Sequence, residues 1–200
     1  MSFYIDLVSA HPLLMAMAQF MVLGTLGEMV SKWVVAKRLF MPFSAPLVLY
    51  KMAEWALLAV CIKYAFMGFT GFVDSLVAHG YLPELNRFTR ALAISVTMNL
   101  QFGLFLVIFH RILDNLAAEE PGWQNIDKGL FSLIWFWIPA HTVTFMLPRP
   151  YQIGLAALWS VALGLILGFY AKGASPAKEV PAEGKEGDSL HYSSKLAKTR

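Results

Sequence analysis

The chain has 200 residues, of which 58% are apolar and only 14% charged, with a net charge of +3. Soluble domains carry about 25% charged residues, so this chain holds more apolar surface than a water-facing fold can hide, and the excess is expected to meet lipid. Its Lys and Arg residues form no patch interleaved with aromatics, which argues against a nucleic-acid partner. A single cysteine, Cys61, rules out an intrachain disulfide and a paired-cysteine metal site.

No Lys or Arg precedes Lys32, and Asp6 lies close to the start, so the first apolar stretch is expected to remain in the mature protein and not to act as a cleaved signal. A helix needs about 20 mainly apolar residues to cross a bilayer. Five stretches qualify: residues 13–30, 47–69, 91–109, 129–147 and 152–171. They predict an all-α fold, a polytopic transmembrane helical bundle of four to five spans. The second stretch is the weakest, because it contains Lys51, Glu54 and Lys63. Between the second and third, residues 71–90 place Phe72, Val73, Leu76 and Val77 on one helical face, as in a helix lying on the membrane surface or an exposed loop. From residue 173 onward, Lys, Glu, Pro, Gly and Ser replace the apolar residues, and 173–200 reads as a disordered charged tail.

With five spans, most basic residues fall on the side holding residues 32–38, 111–128 and the tail, against Arg87, Arg90 and Arg149 on the other. The positive-inside bias then puts the C-terminus on the cytoplasmic side. The membrane is expected to be the cell inner membrane in a prokaryote or an organelle membrane in a eukaryote.

Two features bear on packing. Ala156, Ser160, Gly164 and Gly168 recur every four residues and form a small-residue stripe on the last span. Such stripes let backbones approach closely in lipid, so a partner helix is expected there, from the same chain or from a second copy in a homo-oligomer. Pro139 should kink the fourth span, with Thr142 and Thr144 near enough to satisfy the freed carbonyl.

Polar groups inside the spans carry the functional signal, because a charge at mid-bilayer costs about 2.5–3.5 kcal/mol and tends to face a partner or a wet cavity. Glu54 and Lys51 lie one turn apart and read as a cavity-lining element or a structural ion pair. Asn99 and Gln101 in the third span and His141 in the fourth are further pore candidates or interhelical contacts. Glu28 is expected to pair with Lys32 at the end of the first span or to point inward, and Arg111 to pair with Asp114 at the end of the third. His141 has no second histidine at its depth, so neither a metal nor any other cofactor is expected. Histidine-box, nucleophile-elbow and phosphate-loop patterns are missing, so an enzyme is not expected; the nearest acid–base set is His110, Arg111 and Asp114.

Three blocks, in order, resemble the Mpv17/PMP22 family of small membrane proteins. The first contains Gly27 and Glu28, followed by Ser31 and Lys32; the second runs from Gly103 to His110, Leu113 and Asp114; the third holds Trp137, Pro139, Phe145 and Pro148. The chain departs from the family pattern at Leu104, where a Gly-Pro pair is usual, and lacks a Trp-Asn pair in the last span. The resemblance implies a multi-span bundle acting as a non-selective channel or solute pore, with no catalytic role for Glu28, Asp114 or Pro139. The expected function is therefore a small-solute pore, with a non-transporting membrane scaffold or assembly factor as the alternative.

Overall fold

A computed structural model describes residues 2–118, 121–124 and 126–174. Every element among them is helical. A short helix α1 (Ser2–Ala10) leads into α2 (Pro12–Ala36), with Pro12 in the first turn, where its missing N–H is no loss. Helix α3 (Ala45–Ala78) begins after Ser44, again with a proline in its first turn. It ends at Gly80, whose φ of +75° closes the helix with a hydrogen bond from Tyr81 N to Leu76 O. Helix α4 (Arg87–Met98) is capped by the Asn86 side chain, which accepts from Thr89 N at 2.9 Å. A π-helical turn, Asn99–Gly103, joins it to α5 (Leu104–Ala117). Helix α6 (Ile126–Ser132), a second π turn at Leu133–Trp137 and α7 (Ile138–Phe145) form another continuous run, and α8 (Arg149–Ala174) closes the bundle.

Among the described residues three helical runs are long and apolar enough to cross a membrane: Pro12–Ala36, Ala45–Ala78 and Arg87–Ala117. They coincide with the first three expected spans, and the count of four to five is not reached on this criterion. Their outer faces present Leu49, Leu57, Met67, Leu104, Phe105 and Ile108 to the surroundings, which suits a protein embedded in a bilayer. The expected surface helix over 71–90 is corrected. Residues up to Ala78 continue α3 with Val73 fully buried, and α4 begins at Arg87. Of its apolar residues Val73 packs inward, while Phe72 stays exposed and Leu76 and Val77 are half-buried. The tail expected over 173–200 lies outside the described residues from 175 on, while Gly173 and Ala174 complete α8.

The passes alternate in direction. Glu28 near the end of α2 meets Lys51 near the start of α3, and Asp74 near the end of α3 meets Arg90 at the start of α4. The second π turn faces the first, with Leu133 against Gly103. Pro139 explains that turn: a proline lacks the N–H for the helical ladder and its ring crowds the carbonyl four residues back. The ladder widens just before it, and Ile138 N bonds Leu133 O, five residues away. Thr142 and Thr144 do not serve the freed carbonyl as expected. Their hydroxyls donate to Ile138 O and Ala140 O, each one turn back on its own helix.

Helix α8 runs parallel to α2, with Gly154 beside Gln19, Gly164 beside Gly27 and Gly168 beside Val34. The stripe of Ala156, Ser160, Gly164 and Gly168 therefore meets α2 of the same chain. A Cβ on Gly27 would lie 2.6 Å from the Ser160 carbonyl oxygen, and one on Gly164 would collide with the Gly27 backbone. The stripe is filled and is not free to hold a second copy. Gly164→Leu should force α2 and α8 apart and cost about 3 kcal/mol or more, read as an earlier unfolding midpoint in a denaturing-detergent titration. Gly68→Ala, where nothing lies within 4 Å, should leave the midpoint unchanged or raise it slightly through helix propensity.

Candidate functional site

Polar groups from several helices fall into three levels along the bundle. The densest level lies where the end of α2, the start of α3 and the end of α5 meet. Lys51 and Glu54 are three apart on α3 and share a face, with Lys51 Nζ 3.0 Å from Glu54 Oε2. The same ammonium lies 3.2 Å from Glu28 Oε2 on α2 and donates to Asp114 Oδ1 on α5. His110, one turn before Asp114, brings Nε2 to 3.2 Å from Glu54 Oε1 and 3.6 Å from Glu28 Oε1. The side chains of Lys51 and Glu54 are 8% and 1% exposed, so this is an interior cluster rather than a solvated rim pair.

Aromatic groups fix it. Trp55 Nε1 donates to Glu28 Oε1 at 2.7 Å, and its indole packs edge-on to the His110 ring at 4.8 Å between centroids. The indole fits there because Gly24 on α2 leaves its place empty; any Cβ at residue 24 would overlap the ring. Tyr50 donates to Leu113 O at 2.5 Å and ties α3 to α5 one residue before Asp114.

The middle level joins α4 to α7. Asn99 and Ser95 are both buried, and Asn99 Nδ2 donates to Ser95 O at 2.8 Å and lies 3.2 Å from His141 Nδ1. Ser95 Oγ donates across to Ile138 O at 2.8 Å. Trp137, one turn before His141, stacks on its ring at 5.0 Å, and Phe66 meets the same ring edge-on. The third level is at the other end of the bundle. Arg90 bonds Asp74 with two contacts of 2.6 Å, and Arg87 donates to Met146 O. These arginines line a cleft of about 300 Å³ with Thr70, Arg149 and Gln152. At 1.5 Å per helical residue, Lys51 and Asp74 lie about 35 Å apart along α3, close to the thickness of a hydrocarbon layer. Asn99 lies about midway, roughly 13 Å from Arg90 and 16 Å from His110 along the chain axis.

The sequence candidates divide accordingly. Lys51 and Glu54 pair as expected, and Asn99 and His141 meet, but the two pairs stand at different levels instead of lining one cavity. Gln101 is exposed on the outer face. Gln101 is two residues on from Asn99, about half a helical turn round, so Asn99 inward puts Gln101 outward. Glu28 turns into the cluster rather than out to Lys32, and Asp114 joins Lys51 rather than Arg111. The family-motif residues spread out: Glu28 and Asp114 both reach Lys51, Gly27 faces α8, Gly103 faces Leu133, Pro139 follows the second π turn, Phe145 packs on Phe66, and Pro148 sits exposed between α7 and α8. The convergence of Glu28, His110 and Asp114 on one point was the feature that spacing did not reveal, since they lie on different helices.

No family model, no curated protein and no solved structure matches this chain.

Removing Lys51 leaves three carboxylates facing one another with little water. Lys51→Met should cost about 3–5 kcal/mol, read by the same unfolding titration. Adding Glu54→Gln to Lys51→Met should restore part of that loss, because it removes the most deeply buried of the opposed charges. A double variant no more stable than Lys51→Met would refute the electrostatic account.

Proposed function

We propose that the protein is a multi-pass membrane protein of the Mpv17/PMP22 type that conducts small polar solutes. The reading rests on one observation: polar groups stand at three levels along the α3, α4–α5 and α7 axis, at both ends and at the middle of a membrane-thick bundle. Buried charges in a membrane are costly and are kept where they face a pathway or a partner. The arginine-lined cleft forms one mouth, Asn99 and His141 the waist, and the Lys51 cluster the other mouth. Phe66 and Phe145, 4.7 Å apart, lie against His141 between cleft and waist. Conduction in this reading requires those rings to move.

In this reading the run from Ile126 to Phe145 and helix α8 also cross, for five passes in all. Alternation of direction then places the end of α2 with Lys32, Lys37 and Arg38, the end of α5 with Arg111, the start of α6 with Lys128 and the end of α8 on one face, and this basic bias makes that face cytoplasmic. The resemblance to the Mpv17/PMP22 family adds weight, because Glu28 and Asp114, which carry it, meet at one mouth. The scaffold alternative drew on the small-residue stripe and the tail; α2 fills the stripe, and the tail lies outside the described residues from 175 on.

Liposomes containing the purified protein should swell in small neutral polar solutes faster than empty ones. Glu54→Ala and His141→Phe, verified as helical by circular dichroism, should return swelling to the protein-free rate. Wild-type vesicles as tight as empty ones would remove the reading.

A further inference from the structure

The carboxylates of Glu28 and Glu54 each face two ways. Their Oε2 atoms meet Lys51 at 3.2 and 3.0 Å, and their Oε1 atoms meet His110 Nε2 at 3.6 and 3.2 Å. Lys51 supplies positive charge on the first side. On the second side a ring nitrogen and two carboxylate oxygens stand together, an arrangement that needs either a proton on Nε2 or a bound cation between them. Three carboxylates against one ammonium also leave the cluster net negative, which favours a cation in surroundings this dry.

A second observation marks where that cation belongs. The Glu54 side chain is 1% exposed; its Oε2 is held by the 3.0 Å ion pair with Lys51, whereas its Oε1 accepts no hydrogen bond and faces His110 Nε2, which is likewise buried without one. Ligand atoms of Glu28, Glu54, His110 and Asp114 all lie within 4.8 Å of one another. Tetrahedral zinc, with bonds of about 2.0–2.2 Å, holds its ligand atoms about 3.3–3.6 Å apart, and the observed 3.2 and 3.6 Å separations lie close to that edge. One imidazole with carboxylates suits zinc and its neighbours, whereas calcium needs six to eight oxygens.

We infer that Glu28, Glu54 and His110 form a site for one divalent transition-metal ion, with Asp114 within reach as a fourth ligand. Trp55 orients the Glu28 carboxylate through its 2.7 Å hydrogen bond and holds the His110 ring by edge contact. The ion would tie α2, α3 and α5 together on the side of the carboxylates that Lys51 does not reach. The site stands on its own geometry, whether or not the bundle conducts solutes.

The test uses the full-length protein in detergent, stripped with chelator and titrated with Co²⁺, whose visible absorption reports low-coordinate binding, then with Zn²⁺ as competitor. One ion per chain is expected, with a Co²⁺ band that Zn²⁺ displaces. His110→Gln should weaken binding by about a hundredfold, and Trp55→Phe, which touches no metal, by about tenfold. Should His110→Gln fail to fold, Trp55→Phe still decides. A wild type that takes up no Co²⁺ overturns the inference: His110 is then itself the missing cation. Binding that survives both substitutions unchanged overturns it as well, since the ion then lies elsewhere on the chain.

Discussion

A charge buried among apolar helices has to meet opposite charge, and Lys51 meets three carboxylates, one each from α2, α3 and α5. That requirement orders much of the bundle. For Glu28 to reach Lys51, α2 must run antiparallel to α3 in one register. For Asp114 to reach it, α5 must end at the same height. Trp55 fills the gap between Glu28 and His110, and Gly24 must lack a side chain for the indole to enter. The glycine, the indole and the ion cluster are thus consequences of one another.

Packing on the far side of α2 follows a different physics. Between two helices in lipid, burying apolar surface brings little gain, since lipid tails are equally apolar. Close backbone approach takes its place. Gly27 and Gly164 lie back to back, and Gly168 receives Val34. Helix α2 therefore has a face of small residues toward α8 and a face of charge and aromatic rings toward α3 and α5. The two π turns, facing each other at Gly103 and Leu133, are the third device. One is imposed by Pro139, and the other holds Asn99 at its start, beside His141.

Parts of the site were legible in the sequence because they are local. The Lys51 and Glu54 pair follows from helical spacing, and the small-residue stripe from a repeat of four. Both needed only the knowledge that their segments are helices. Gln101 was misread because polarity alone does not tell which way a helical residue points; the phase relative to Asn99 does. Glu28 and Asp114 were each matched to a neighbour in the chain, Lys32 and Arg111, because nearby residues are the only partners a one-dimensional reading can offer. Both turned inward, since a buried ammonium attracts a carboxylate far more strongly than a hydrated surface side chain does.

Composition and the spacing of apolar residues settled what depends on solvent: an all-helical chain, three membrane-length helical runs at their expected places, and polar residues within them. The ends of helices were fixed by neighbours as well as by local signals: residues 71–78 continue α3, with Val73 buried in the core and Asp74 paired to Arg90 on α4. The partner of the small-residue stripe, the gathering of Glu28, Lys51, Glu54, His110 and Asp114, and the meeting of Asn99 with His141 were decided only in three dimensions. Each joins residues from separate helices, and the relative height and rotation of two helices depend on the packing of all the side chains between them, which no single stretch of sequence contains.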